Sequence, residues 1–187
     1  MRFRFPHFAV MVAAMVFAVS SQAAEFSEVN VAASQISFTF SQFGSRVYGT
    51  FGKFEGTLDF DTQNPNAAHS TLHIDLTSID AGSGDANSEL QKPAWFDTAT
   101  HPLAIFQSTS IRALGDDRYL FSGNLTLKAV TRPIEVQVQL SAESGIGIFV
   151  GEFALNRDDF KIGAGEWADS VVSKNIDIRF RIVAPQR

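Results

Sequence analysis

The feature that most constrains this chain is alternation. From Ile36 onward, apolar and polar residues trade places at every second position over most of the sequence, the signature of strands buried on one side. Ile36, Phe38 and Phe40 share one face, with Ser37, Thr39 and Ser41 opposite; Leu72, Ile74 and Leu76 stand against Thr71, His73 and Asp75. Tyr119, Phe121, Gly123, Leu125 and Leu127 continue the pattern, as do Ile134, Val136, Val138 and Leu140, then Ile176, Ile178, Phe180 and Ile182. Turn-forming runs separate these segments: Asn64-Pro65-Asn66, Gly115-Asp116-Asp117, Ser144-Gly145 and Gly163-Ala164-Gly165. About eight strands joined by short polar turns predict an all-β, antiparallel architecture.

One odd step sharpens that expectation. Val47, Gly49 and Phe51 keep time, the next apolar residue is Phe54, and Gly56, Leu58 and Phe60 then resume the alternation. A β-bulge near Gly52-Lys53 would let both halves keep one face inward. Long strands of closed barrels bend at such points, so an eight-stranded barrel is expected rather than a flat sandwich. Only the stretch near residues 85–96 lacks alternation; Asp85 is placed to cap a short helical turn there, and Pro93 to end it. No repeat, low-complexity tract or linker interrupts the rest, so residues 24–187 read as a single domain.

The first residues read as an address. Arg2 and Arg4 precede an apolar run from Phe8 to Val19, and Ser21-Gln22-Ala23 has the small-x-small form of a cleavage signal. That run is well short of the ~20 residues a membrane-spanning helix needs. Residues 1–23 are therefore expected to be a signal peptide cut after Ala23, which directs the protein to the periplasm. Loss of Arg2 and Arg4 would leave 13 basic and 20 acidic residues, a net charge of -7. An acidic chain of this kind argues against nucleic acid as a partner. The absence of cysteine excludes disulfides, thiolate metal sites and thiol nucleophiles.

Candidate chemistry is sparse. His69 and His73 have a spacing that chelates zinc on a helix, but on a strand they stand about 13 Å apart, too far to share an ion. No Gly-x-Ser-x-Gly elbow is present, His101 sits before Pro102 in a turn, and Asp158, Asp159, Glu166 and Asp169 read as a solvated acidic loop. Gly49, Gly56, Gly123 and Gly151 fall on the inward parity of their strands. An inward glycine leaves a gap that either a neighbouring ring or a ligand can occupy, and an eight-stranded interior suits both. Arg157 ends the run Phe149, Gly151, Phe153, Leu155 with its guanidinium directed inward. It must be paired, either by Asp97, Asp159 or Glu166 or by the head group of a ligand at the barrel mouth. Trp95 and Trp167 lie in the non-strand loops, where they either cover that mouth or plug the core.

The order Val47-x-Gly49-x-Phe51, Phe54-x-Gly56-x-Leu58-x-Phe60-Asp61, Trp95-Phe96-Asp97, His101-Pro102 and Phe106-x-Ser108-Thr109 resembles the YceI-like family. So do Gly123 to Lys128 with Val130-Thr131-Arg132-Pro133, and Asn156 to Phe160 with Ile162-Gly163. The resemblance runs from about Phe26 to Ile182 and implies a lipocalin-like barrel with a long apolar tunnel. Its guest is a polyisoprenoid or another long-chain lipid, with no covalent cofactor and no metal, and family members are not established as enzymes. The tunnel would be lined by Phe38, Phe40, Val47 and Phe51, by Leu72, Ile74 and Leu76, and by Trp95 and Phe106. Phe121, Leu125, Val136 and Val138 continue the lining, followed by Phe149, Phe153, Leu155, Arg157, Trp167, Ile178 and Phe180. Gly49, Gly123 and Gly151 would be places where the tunnel widens, and the loops Asp85–Phe96 and Lys161–Asp169 would gate exchange with a membrane.

Two departures stand out. Where many members carry Arg-Asp-x-His-Leu, this chain has Ala86, Asn87, Ser88, Glu89 and Leu90. Without that cation and imidazole, a neutral head such as a quinone ring fits better than a pyrophosphate. The usual Lys-Gly turn is Lys128-Ala129, strained if the turn requires positive φ. The Trp-Phe-Asp version resembles a proteobacterial branch found alongside or fused to membrane b-type cytochromes. Transient membrane contact, a homodimer and such a cytochrome are the partners this implies; an enzyme acting on the bound lipid or quinone is the rival reading.

Overall fold

The structure is a computed structural model that describes residues 23–163, 168 and 171–187. The expected leader, cut after Ala23, thus lies outside the described residues save for Ala23 itself, and Glu166, Trp167 and Asp169 also lie outside them. The strands are β1 (Glu25–Glu28), β2 (Gln35–Gln42), β3 (Ser45–Phe51), β4 (Phe54–Asp61), β5 (His69–Asp75) and β6 (Ile79–Asp80). Helix α1 (Gly84–Leu90) follows, then β7 (Leu103–Gly115), β8 (Arg118–Leu127), β9 (Val130–Glu143), β10 (Ile146–Asn156) and β11 (Asn175–Pro185). All pair antiparallel in one sheet of order β1-β4-β5-β7-β8-β9-β10-β11-β2-β3-β6.

That order contains its own closure. β3 and β4 lie near opposite ends of the sheet yet are joined by only Gly52 and Lys53, so the sheet must curl back on itself. The odd step in the alternation falls at this join. It is not a bulge within one ladder, as expected, but a change of partner: β3 pairs with β2, whereas β4 pairs with β5. Backbone bonds from the β5–β6 connection bridge the break, Gly52 N–H to Ser78 O at 3.1 Å and Asp75 N–H to Lys53 O at 3.0 Å. Among the described residues the strand count is therefore eleven rather than eight. One bent strand counts as two, and the edge each half leaves free is covered by a short strand, β1 on β4 and β6 on β3.

Inside and outside follow the alternation. Ile36, Phe38, Phe121, Leu125, Val136, Val138, Phe149 and Ile182 are buried, and Phe51 and Phe54 keep both halves of the bent strand facing inward. The ladder between β9 and β10 ends at Val138–Gly151, and Pro133 falls beyond it, where β9 pairs only with β8 and a missing N–H is tolerated. Helix α1 forms where alternation fails. Its N-cap is Ser83 rather than Asp85, the Ser83 hydroxyl accepting the Ala86 N–H at 3.2 Å, and it ends three residues before Pro93.

The inward glycines are not gaps. A Cβ on Gly49 would lie 2.2 Å from the Phe38 ring, on Gly123 2.5 Å from Phe106 and on Gly151 2.5 Å from Phe180. Phe38 and Phe180 stand directly across the ladder from Gly49 and Gly151. The expectation that the tunnel widens at these glycines is thus corrected: each glycine is covered by a neighbouring ring, which lies back along the wall. Gly123→Ala should therefore destabilise the fold by ~1–3 kcal/mol, because its methyl would also press on the Gln107 carbonyl at 2.5 Å, which cannot swing away. A urea titration showing a lower midpoint at unchanged slope is the expected result.

Candidate functional site

With those rings stowed, the barrel is hollow along its axis. A chamber of about 180 Å³ occupies one end and a second, of about 110 Å³, lies deeper. Both far exceed the ~10–15 Å³ that one water needs, and an apolar lining of this kind does not hold water. Ile36 from β2, Ile74 from β5, Leu125 from β8, Phe153 from β10 and Ile178 from β11 border both, forming a belt between them. Below the deep chamber, Phe149 meets Phe26 and Phe60 edge-on at centroid distances of 5.4 and 5.3 Å, and Phe60 meets Tyr119 at 4.9 Å. These T-shaped contacts plug that end.

Most of the side chains expected to line a tunnel do so. Phe38, Phe40, Phe51, Leu76, Trp95, Leu155 and Arg157 border the larger chamber; Leu72, Phe106, Phe121, Val136, Val138, Phe149 and Phe180 border the deep one. Val47 is the exception: it borders neither chamber, and its ladder partner Phe40 reaches the larger one in its place. Trp167 lies outside the described residues. The sequence reading missed the liners supplied by irregular segments, including Ala86 and Leu90 of α1, Phe96, and Val172. Strand parity cannot flag these, although the family motif passes through Ala86 and Leu90.

The mouth is built around Arg157, which is only 2% exposed. Of the carboxylates considered for it, Glu166 lies outside the described residues. Its Nε donates to Ser173 O at 3.3 Å, Nη1 to Ile162 O and Gly163 O at 3.0 and 2.7 Å, and Nη2 to Ala168 O and Val172 O at 2.9 and 3.4 Å. A guanidinium has five N–H donors, and five carbonyls are met here, with Asp158 also alongside at 3.3 Å. These bonds give the guanidinium a structural role, joining Arg157 to Ile162, Gly163, Ala168, Val172 and Ser173, while it also borders the larger chamber. Asp158 in turn accepts from Lys174 Nζ at 2.7 Å, and that ammonium holds its carboxyl below the usual range. The resulting ion pair is intact above the ordinary carboxylate pKa and is lost only as pH falls through the lowered one.

A second cation ties the loops together. Lys128 Nζ donates to Pro93 O at 2.6 Å and to Lys161 O at 3.2 Å, while Gly163 N–H donates to Ala94 O at 2.8 Å beneath the Trp95 ring. The turn that presents Lys128 is the strained one: Lys128 and Ala129 have φ of 48° and 58°. On this side the mouth is sewn. The larger chamber's remaining polar liners, Gln42 and Glu89, are exposed and mark where it meets solvent, between the β2–β3 hairpin and α1. Lys92 pairs with Glu89 at 2.5 Å and holds its carboxyl below the usual range, so a carboxylate stands at the opening.

Beyond this opening, His69 and His73 share β5, and no cluster of metal-ligating side chains occurs among the described residues. His73 Nδ1 lies 3.4 Å from a Glu55 carboxylate oxygen on the exposed face.

Comparison with known proteins points one way. A family model described as the YceI-like domain matches residues 28–184. The chain is 38% identical over 96 residues to Protein YceI of an Escherichia coli strain, covering 51% of this chain and 50% of that protein. It is 30% identical over 109 residues to a UPF0312 protein of Azotobacter vinelandii, covering 58% and 57%. It thus spans about half the length of the curated relatives it matches. Among solved structures, BcnA of Burkholderia cenocepacia superposes with a TM-score of 0.81 at 31% identity, over 84% of this chain and 99% of that one. A polyisoprenoid-binding domain from Saccharophagus degradans, implicated in plant cell wall breakdown, shares the fold with a TM-score of 0.68 at 19% identity, over 87% and 99%.

If Arg157 is a buttress, Arg157→Ala should strip buried carbonyls of their donors and cost about 3 kcal/mol. A thermal melt should show a drop of several degrees, and an unchanged melting temperature would return Arg157 to the ligand.

Proposed function

The chain belongs to the YceI-like family, and from that membership we propose that it is a binding and carrier protein for a long-chain isoprenoid lipid held in the barrel. The observation that carries this reading is the pair of aligned apolar chambers, open at one end between Gln42 and Glu89 and plugged by aromatic rings at the other. Such a space matches a chain-shaped guest. Burying the chain gains about 0.8 kcal/mol per CH₂, so affinity is readily obtained and selectivity must come from the belt and the mouth. Binding is favoured over catalysis because His101 and Asp159 border neither chamber. We read the N-terminal segment as an export signal and the periplasm as the place of action, with exchange of the guest at a membrane surface.

The mouth also bears on the head group. Ala86 and Glu89 occupy the positions where many relatives carry Arg and His, and both line the larger chamber. The methyl offers an anionic head no partner and the carboxylate disfavours it, so a neutral head of the quinone kind is the better guest. Ala86→Arg with Glu89→His should shift the co-purified lipid toward phosphorylated species, read by extraction and mass spectrometry.

Intact-mass measurement under native conditions tests the whole reading. The protein should carry an additional lipid mass, and Phe153→Glu, shown to be folded by circular dichroism, should lose it by placing a charge in the belt. An equal amount of lipid on both proteins would refute the assignment of the chambers.

A further inference from the structure

Four two-residue hairpins in this fold place both central residues at positive φ: Phe43-Gly44, Asp116-Asp117, Lys128-Ala129 and Ser144-Gly145. Turns of this kind favour Asn, Asp or Gly first, and for a bulky residue positive φ is a true outlier. Lys128 uses its strained turn to reach two loop carbonyls. Phe43, at φ 49°, returns nothing to the fold, because it is 71% exposed, the most exposed large hydrophobic residue among those described. Strain without a packing return is a reason to look for function.

Its position supplies that function. Gln42, the residue before it, lines the opening of the larger chamber and bridges to Val172, another liner, while the Phe43 N–H donates to Val171 O at 3.0 Å. The ring is thus held at the rim on a fixed backbone. The hairpin that carries it, residues 35–51, has one charged residue, the exposed Arg46, and no acid, and the carboxylate across the opening, Glu89, is paired with Lys92. An apolar tip beside an exposed cation suits a bilayer with anionic headgroups. We propose that the β2–β3 hairpin tip, led by Phe43, docks the mouth onto a lipid bilayer, an inference that rests on the lipid-carrier reading. The docked ring sinks among the acyl chains beside the opening, so the guest passes between bilayer and barrel without crossing water.

Phe43→Asn tests this cleanly, since Asn suits the left-handed backbone and should leave the melting temperature equal to or above the parent's. Parent and variant, matched in N-terminal mass, are floated with vesicles of phosphatidylethanolamine and phosphatidylglycerol. The variant should associate roughly 10-fold more weakly, as loss of one buried Phe requires. Phe43→Trp should keep flotation and gain emission that moves to the blue on vesicle addition. Equal flotation of parent and Asn variant, or emission from the Trp variant that vesicles leave unmoved, overturns the proposal. So does an Asn variant that changes from dimer to monomer yet floats as before, which would assign Phe43 to a contact between copies. Intact-mass loading of the same samples tests the carrier reading separately: an empty parent that still needs Phe43 to float would overturn that reading and support the docking tip.

Discussion

The hollow interior depends on where each phenylalanine ring meets a residue without a side chain. Pairing puts Phe38 across from Gly49 and Phe180 across from Gly151, and Phe106 covers Gly123 one step away along the ladder. A ring that can lie against bare backbone takes little of the lumen. Phe153 has no such neighbour, since Ile178 stands opposite, and it is Phe153 that sits in the belt between the chambers. One residue type therefore builds both wall and partition.

This is also the line between what the sequence made legible and what it did not. Facing was readable, because parity is local: the described side chains expected to line the tunnel border the chambers, with Val47 the one exception. The bend was readable as a missed beat at Gly52-Lys53, but its nature was not, because a bulge and a change of partner leave the same mark on one strand. The role of the glycines was unreadable for a deeper reason. Whether Gly151 is a gap or a bed for a ring depends on Phe180, 29 positions away, and that register is set by the closed sheet as a whole. Arg157 shows the same limit. Its inward direction followed from parity, but the partners described for it include backbone carbonyls, which leave no trace in side-chain chemistry.

The two ends of the barrel divide the work. The plugged end is held by aromatic edges and by β1, whose Phe26 lies over Gly147. The open end adds directed bonds to its apolar clusters, those of Arg157 and those of Lys128 between two loops. Bonds to carbonyls can be exchanged one at a time, whereas a packed plug yields only as a unit. Among the described residues no such tie joins Gln42 to Glu89, and on the carrier reading proposed above that arc is where a guest would enter.

An unfilled interior would be expensive for a fold of this size. At about 24 cal/mol per Å³ of void, the chambers of 180 and 110 Å³ carry a penalty on the order of 7 kcal/mol. That is comparable with the ~5–15 kcal/mol by which whole domains are stable. Packing the rings into the lumen would remove the penalty, and Gly49, Gly123 and Gly151 oppose it by giving Phe38, Phe106 and Phe180 a place on the wall. The fold is thus arranged so that its own side chains cannot complete its core. A guest that enters restores the missing contacts, so occupancy and stability rise together. On the carrier reading proposed above, such a protein would give up its cargo only where something else supplies comparable apolar surroundings, which is a property of a membrane and not of water.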